Sequence, residues 1–218
     1  MSATAGIQLS VQGSVAHVVI QQVGKFNAMS RAMWRELRAV FQDGIEATRI
    51  RCVLIRGDGA NFCAGGDISE YPTFRFEPAL LHDFHERDVW GALRAMLDCD
   101  VPVLAQIEGY CVGAGLEIAS CCDIRVASDS ARFGAPIAHL GFPMAPREAE
   151  LLLREVGAMT AREMLLSAAV LDAPTMLARG FLSRVVTEAE IAGTVSALTD
   201  KISQLAPRSS CRNWVRRD

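Results

Sequence analysis

The sequence predicts an α/β protein in which short apolar strands alternate with amphipathic helices. Three observations support this fold class. Compact apolar runs recur along the 218-residue chain, and the segments between them place apolar residues at helical spacing. Two of the strands end in glycine-rich loops, at residues 62–68 and 109–115. No internal period of roughly 20 to 50 residues is present, so a solenoid is not expected.

The first predicted elements are a hairpin, a helix and a buried strand. IQLSVQGSVAHVVI alternates around Gly13 and predicts a β-hairpin. Residues 27–47 carry apolar side chains at helical spacing, and Ser30 is the expected N-cap. IRCVLIRG is a nearly continuous apolar strand, which indicates burial on both faces of a sheet.

The alternation of elements continues to the end of the chain. An amphipathic helical segment is predicted at about residues 78–97, and Pro102 opens the strand PVLAQIEG. GAGLEIASCC is a predicted helix and DIRVAS a strand. The helices PREAELLLREVG, TAREMLLSA and APTMLARG follow, and Gly180 ends the third of them. SRVVT is a short strand and TEAEIAGTVSALTDKISQLA a helix, after which RSSCRNWVRRD is basic and has no periodic apolar face.

Composition narrows the classes of function. Half of the residues are hydrophobic and 22% are charged, as in an ordinary globular domain with appendages. The net charge of −3 offers no basic field for nucleic acid. No signal peptide or membrane-spanning run is visible, so we expect no membrane partner and a cytoplasmic location. The seven cysteines form no CxxC pair, which favours free thiols in a reducing compartment.

The two glycine-rich loops are the strongest chemical signal. Each follows a strand, and glycine lets the backbone approach a ligand closely with its amide N–H groups exposed. Two such loops can direct two N–H groups at one oxygen, which is the arrangement of an oxyanion hole. The alternative is that the glycines only permit close packing of strand and helix. Asp67, which follows Gly65 and Gly66, is expected to cap a helical turn.

Three segments, FCAGGDI, PVLAQIEGYCVGAGLEIASCCDIRVAS and ARFGAP, together resemble the crotonase superfamily, which includes enoyl-CoA hydratase. The resemblance extends from about residue 7 to about residue 205. It implies a spiral of β-β-α units in residues 1–187 and a shortened helical region with a basic tail in residues 188–218. It also implies an acyl-CoA thioester as ligand, no metal or redox cofactor, since CoA is part of the substrate, and a homo-oligomer, either trimer or hexamer.

The resemblance also implies roles for individual residues. The N–H groups of Gly66 and Ala114 would bind the thioester oxygen, although Ala114 replaces the middle glycine of the usual triple-glycine run. Glu117 would be the catalytic acid–base group. The implied substrate-binding residues are Lys25, Phe26, Ala28, Ala64, Gly66, Asp67, Ile68, Gly113, Ala114, Pro136 and Ile137.

One departure from the family pattern concerns the chemistry directly. Hydratases of the family use a second glutamate, and Ile137 occupies its position here. An isoleucine can neither bind water nor transfer a proton. The resemblance still makes hydration of a 2-enoyl-CoA the first expectation, and this reaction requires either that one glutamate suffices or that another group replaces the second. His139 and Glu148 are candidates, although a Glu after Pro at a helix start is usually explained by the helix dipole. The alternatives are double-bond isomerisation, other enolate chemistry, or acyl-CoA binding without catalysis.

Two other classes of enzyme fit less well. Gly113 and Gly115 after a strand could suggest a dinucleotide site, but the third glycine of GxGxxG and its acidic partner are missing. HDFHERD places His82 and His85 three residues apart, which could suggest a metal site. The order HxxHE matches neither HExxH nor HxxEH, and a solvated helix face is the more usual explanation.

Overall fold

The computed structural model describes residues 5–45, 49–141 and 143–205. It confirms the predicted α/β architecture, with mixed strands and helices along the chain. The basic tail RSSCRNWVRRD lies outside the described residues. So do residues 46–48, at the end of the first predicted helix. Within the described ranges, no helix combines the length and the apolar character needed to cross a membrane.

The strands form two sheets in the described part of the chain. The larger has six strands in the order β1-β2-β3-β4-β6-β9, and the smaller has the order β5-β7-β8. The β1–β2 hairpin is antiparallel, as predicted, and the other neighbours in the larger sheet are parallel. The strands are β1 (Gly6–Gln12), β2 (Val15–Gln21), β3 (Cys52–Gly57), β4 (Val103–Ile107), β5 (Tyr110–Val112), β6 (Ile124–Ser128), β7 (Arg132–Gly134), β8 (Val170–Asp172) and β9 (Arg184–Val186).

The helices connect these strands and cover the sheets. They are α1 (Arg31–Ala39), α2 (Pro78–Asp83), α3 (Trp90–Asp98), α4 (Ala114–Ser120), α5 (Pro146–Val156), α6 (Ala158–Ser167), α7 (Ala173–Ala178) and α8 (Glu188–Ser203). Ser30 caps α1, since its side chain accepts a hydrogen bond from the Met33 N–H at 3.2 Å. The predicted amphipathic segment at residues 78–97 is helical, but the π-helical turn Phe84–Val89 separates α2 from α3.

The β-β-α pattern is visible in the order of the strands. Strand β4 lies in the larger sheet, β5 follows in the smaller sheet, and α4 completes the unit. Strands β6 and β7 repeat this arrangement and lead to α5 and α6. Strands β5, β7 and β8 were not predicted from the sequence, because each has three residues and depends on pairing with distant segments.

Strand β3 is buried on both faces of the larger sheet, as its continuous apolar sequence predicts. Val53 and Ile55 point into the main core, whereas Cys52 and Leu54 point to the opposite face. Helix α8 covers that opposite face with a set of apolar residues, and its capping box of Thr187 and Glu190 sets its start. These residues are Ile191, Val195 and Ile202.

The two glycine-rich loops are in direct backbone contact. Cys63 and Cys111 form a parallel bridge, in which the Cys63 N–H donates to Tyr110 O at 2.8 Å. The Val112 N–H donates to Cys63 O at 2.9 Å. Gly115, in the first turn of α4, lies so close that a Cβ there would collide with the same Cys63 carbonyl. Glycine at position 115 is therefore required for this contact.

This contact predicts different outcomes for two Gly→Ala substitutions in helices. Gly115→Ala should lower the free energy of unfolding by about 1–3 kcal/mol, because the added methyl overpacks against backbone. Gly193 lies in α8 with open space around it, so Gly193→Ala should raise stability by about 0.5–1 kcal/mol through helix propensity. Urea denaturation measures both. A Gly115→Ala variant as stable as the unmodified protein would contradict the described loop contact.

Candidate active site

A cavity of about 240 Å³ opens between the two glycine-rich loops and helices α4 and α5. Most of its wall is apolar, and its polar side chains are few. A small number of polar groups in an apolar pocket is typical of a binding site for a small organic ligand. The lining residues are Trp34, Ala64, Gly65, Gly66, Ile68, Tyr71, Phe84, His85, Val89, Val112, Gly113, Ala114, Glu117, Ala135, Pro136, Ile137, His139, Leu140, Met144 and Glu148.

Gly66 presents its N–H from the first loop. Met29 and Gly66 form a parallel bridge. The bridge consists of hydrogen bonds from the Met29 N–H to Gly65 O and from the Asp67 N–H to Met29 O, both 2.8 Å. These bonds use the groups that flank Gly66, so the N–H of Gly66 itself is directed away from Met29.

Ala114 presents the second N–H. It is the first residue of α4, and the N–H groups of a helix's first turn have no partner within the helix. Gly113 precedes it with φ 53°, a conformation that favours glycine, and its own N–H donates to Gly134 O at 2.8 Å. The turn therefore depends on Gly113, while alanine at 114 retains the amide donor.

Glu117 lies one helical turn beyond Gly113, and its N–H closes that turn by donating to Gly113 O at 3.0 Å. Its side chain lines the cavity although the residue is only 5% exposed. Burial, and secondarily the negative charge of Glu148, raises the pKa of Glu117 well above its usual value. This carboxyl is therefore held protonated at a pH where an exposed glutamate is ionised.

Glu148 enters the same cavity from the first turn of α5. It is 3% exposed, and its Oε1 lies 2.9 Å from Nδ1 of His85, in the π-helical turn. Burial raises the pKa of Glu148, and the hydrogen bond from His85 opposes that shift. The cavity therefore holds two buried carboxyl groups, one of which has a histidine partner.

Tyr71, Trp34 and Phe84 form an aromatic part of the wall that the sequence analysis did not identify. Tyr71 lies so near the first loop that a Cβ on Gly66 would meet its hydroxyl oxygen. Burial, and then the charge of Glu117, raises the pKa of Tyr71, so the phenol stays protonated. Glycine at position 66 thus leaves room for the Tyr71 hydroxyl.

Lys25 and Asp67 form an ion pair beside the first loop. The Lys25 Nζ lies 2.9 Å and 2.7 Å from the two Asp67 carboxylate oxygens. Burial alone would raise the pKa of Asp67, but hydrogen bonds from Lys25 and Ser69 outweigh it and lower the pKa to about 2. Asp67 also caps the following turn, as expected, by accepting from the Ser69 N–H at 3.1 Å.

The sequence-predicted site residues fall into two groups, those that line the cavity and those that lie outside its wall. Eight of them line the cavity: Ala64, Gly66, Ile68, Gly113, Ala114, Glu117, Pro136 and Ile137. Lys25, Phe26 and Ala28 lie outside its wall and next to the first loop, and Asp67 lies outside the wall but within that loop. The Ala64 N–H of the loop donates to Phe26 O at 3.0 Å. Phe26 is 58% exposed and packs edge-on against the Tyr110 ring.

The two residues weighed as replacements for the missing glutamate, His139 and Glu148, both line the cavity. Arg147 points away from it and pairs with Glu86 at 2.9 Å. For the described residues, no group of three or more His, Cys, Asp or Glu side chains could hold a metal ion. His85 faces Glu148 rather than joining His82 in such a group.

Comparison with known proteins agrees with this fold. Residues 10–212 match the family model described as enoyl-CoA hydratase/isomerase. The chain therefore belongs to the enoyl-CoA hydratase/isomerase family, within the crotonase superfamily that its sequence resembles.

Relatives and solved structures extend the match over most of the chain. A probable enoyl-CoA hydratase of Mycobacterium leprae is 30% identical over 198 residues, covering 91% of this chain and 75% of that protein. A short-chain-enoyl-CoA hydratase of Clostridium acetobutylicum is 30% identical over 200 residues, covering 91% and 76%.

Among solved structures, an enoyl-CoA hydratase/carnithine racemase from Magnetospirillum magneticum has a TM-score of 0.90 and 34% identity, covering 96% of this chain and 78% of that one. A candidate enoyl-CoA hydratase from Thermobifida fusca, solved in complex with CoA, has a TM-score of 0.82 and 25% identity, covering 94% and 81%. The predicted crotonase-like fold is thus confirmed.

The raised pKa of Glu117 predicts how stability depends on pH. Between the usual pKa of 4.5 and the higher folded-state pKa, the unfolded chain releases a proton that the folded protein keeps. This contribution to stability is complete below pH 4.5 and is lost as pH rises through the folded-state pKa. The free energy of unfolding, relative to Glu117→Gln, should fall by up to about 1.4 kcal/mol per pH unit in that interval.

Urea denaturation at a series of pH values tests this expectation. Glu150→Gln is the matched control, because Glu150 is an exposed glutamate on α5. It should follow the unmodified protein at each pH. A difference between the unmodified protein and Glu117→Gln that stays constant with pH would show that Glu117 is not buried as a protonated acid.

Proposed function

We propose that this protein hydrates a 2-trans-enoyl-CoA to the corresponding 3-hydroxyacyl-CoA. The observation that carries the proposal is that Glu117 shares the wall of one apolar cavity with Gly66 and Ala114. A thioester oxygen between the N–H groups of these last two residues would place the acyl carbons near Glu117. The family match and the CoA complex of the Thermobifida fusca relative support an acyl-CoA ligand.

The proposed mechanism proceeds through an enolate. When water adds to C3, the electron pair of the C2–C3 double bond moves toward the thioester, and negative charge collects on its oxygen. The N–H groups of Gly66 and Ala114 stabilise that charge as an oxyanion hole. In this addition the attacking water loses one proton and C2 gains one, and Glu117 is the acid–base group proposed for that transfer. Backbone amides and carboxyl groups supply every step, so the proposal includes no metal or redox cofactor, and CoA enters with the substrate.

The CoA portion would lie along the outer side of the first loop. The proposed contacts come from the backbone at Phe26, Ala28, Ala64 and Ile68, together with Lys25 for a phosphate. Because Lys25 is paired with Asp67, a phosphate would either compete with the Asp67 carboxylate for the ammonium group or bind that group together with the carboxylate. Phe26 is exposed, and its ring lies edge-on to the ring of Tyr110. The two rings offer an aromatic surface to the nucleotide.

A cytoplasmic location, a role in fatty acid metabolism and a trimeric or hexameric assembly form part of the proposal. They rest on the family resemblance. Exposed apolar side chains in α6, Met159 and Leu166 among them, are available to a neighbouring subunit.

Double-bond isomerisation is the second candidate, because one carboxyl group is sufficient for it. Ile137 lines the cavity at the position where the family resemblance places a second glutamate. A single carboxyl beside an oxyanion hole can remove a proton from one carbon of the enolate system and return it to another. The same substitution also suits a non-catalytic acyl-CoA binder.

The test is an assay of turnover of a short 2-enoyl-CoA by the purified protein. The loss of absorbance of the conjugated thioester measures the rate. Glu117→Gln should lower the rate by about 10²–10⁴, because a positioned acid–base group is removed. Glu150→Gln should turn over at the unmodified rate. Unchanged turnover in Glu117→Gln would reject the role of Glu117.

Two other results would redirect the assignment. Conversion of a 3-enoyl-CoA to the 2-enoyl isomer without hydration would identify an isomerase. Tight binding of the thioester without either reaction would identify a non-catalytic binder. Both measurements use the same preparation and the same control.

A further inference from the structure

The cavity contains a buried carboxyl that the mechanism above does not use. Glu148 lies on α5, whereas Ile137 occupies the 3₁₀ turn Ile137–Leu140 that faces the cavity from another side. Both side chains line the space beside Glu117. A carboxyl that is missing from one wall is therefore present on a second wall of the same cavity.

The helix dipole does not explain why Glu148 is buried. A glutamate in the first turn of a helix gains from the dipole even when it is exposed to water, so the dipole alone gives no reason to bury it. Burying a carboxylate costs several kcal/mol unless it is paired, and the partner that the described residues supply to Glu148 is a histidine, His85, at 2.9 Å. Arg147, the adjacent cation, points outward to Glu86 and does not neutralise Glu148. An unfavourable placement of this kind is typical of a functional group.

His85 supplies the only hydrogen bond that the described residues give to the Glu148 side chain. The π-helical turn Phe84–Val89 interrupts the α2–α3 segment and carries His85 into the cavity wall. Such turns often occur at functional sites. The Phe84 ring packs edge-on against the imidazole at 5.1 Å between centroids and holds its orientation. An Nδ1–H that donates to Oε1 favours the ionised form of Glu148.

We propose that Glu148, oriented by His85, is the second acid–base group of the hydration and replaces the glutamate that Ile137 displaces. This inference rests on the proposed function. Glu148 is the catalytic base and His85 a positioning residue. Glu117, which has no histidine partner among the described residues, is the acid. Two carboxyls whose surroundings differ in this way divide the acid and base roles between them.

The proton balance of this reaction closes within the cavity. The ionised Glu148 takes one proton from water as the water oxygen bonds to C3 and the π electrons move to the thioester oxygen. The enolate then re-forms the thioester carbonyl and takes a proton at C2 from Glu117. The product has gained one water, Glu148 is protonated and Glu117 is ionised. Transfer of one proton from Glu148 to Glu117 restores the starting state.

Two reactions of the same protein separate this role from that of Glu117. Hydration of a 2-enoyl-CoA needs both carboxyls. Exchange of the C2 proton of a saturated acyl-CoA in D₂O needs only Glu117 and the two amides. Glu148→Gln preserves side-chain shape and can still accept from His85. We expect it to lower hydration by about 10²–10⁴ and to leave exchange no slower than in the unmodified protein. Glu150→Gln is the control for both reactions.

Each outcome has a distinct meaning. Hydration retained in Glu148→Gln would overturn the role of Glu148 and leave the proposed function intact. Equal losses of hydration and exchange would also overturn it, because they indicate general damage to the site. If the unmodified protein binds the thioester but performs neither reaction, the proposed function fails and this inference fails with it.

Substitution of His85 provides an independent test should Glu148→Gln not fold. His85→Asn keeps an N–H donor near the position of Nδ1, whereas His85→Leu removes it. We expect His85→Leu to lower kcat at an unchanged KM, and His85→Asn to restore much of that loss. Equal kcat in the two variants would overturn the positioning role of His85.

Discussion

The candidate site depends on the backbone contact between the two glycine-rich loops. The bridge between Cys63 and Cys111 joins the segment after β3 to β5, and therefore joins the carboxyl ends of two neighbouring parallel strands. Because its bonds run between main-chain atoms, the bridge fixes the distance and register of the loops independently of most side chains. The N–H groups of Gly66 and Ala114 take their positions from it. The geometry of the site is thus set by main-chain hydrogen bonds and depends little on side chains.

The cavity also brings together groups that repel each other. Glu117 and Glu148 are both removed from water, and the charge of Glu148 disfavours ionisation of Glu117. Apolar neighbours such as Trp34 and Phe84 strengthen this effect by excluding solvent. Replacing either carboxyl with a neutral side chain should relieve the repulsion, so the arrangement reflects chemistry at the expense of stability.

Local patterns in the sequence were sufficient for most elements of the fold. The hairpin around Gly13, the cap at Ser30 and the two-sided burial of β3 follow from turn residues, capping chemistry and apolar runs. Strands β5, β7 and β8 could not be predicted in this way, since three residues carry little periodicity and their partners are distant. The glycine-rich loops were recognised because two unusual segments occur together.

Prediction of the site reached its limit where contacts span long stretches of chain. His85 and Glu148 are 63 positions apart, and the pattern around His85 suggested a relation to His82 instead. Glu148 has the sequence context of an ordinary helix-start glutamate, and only its burial distinguishes it. The pairing of Lys25 with Asp67, 42 positions apart, was likewise invisible to local analysis.

Helix α8 has a consequence for synthesis of the chain. Its apolar residues cover one face of β3, β4 and β6, strands that leave the ribosome before it. Until α8 has emerged, Leu54, Leu104 and Val126 form an exposed apolar strip on one face of a sheet whose opposite face belongs to the main core. Nascent chains at this stage present the kind of surface that chaperones bind and that promotes aggregation.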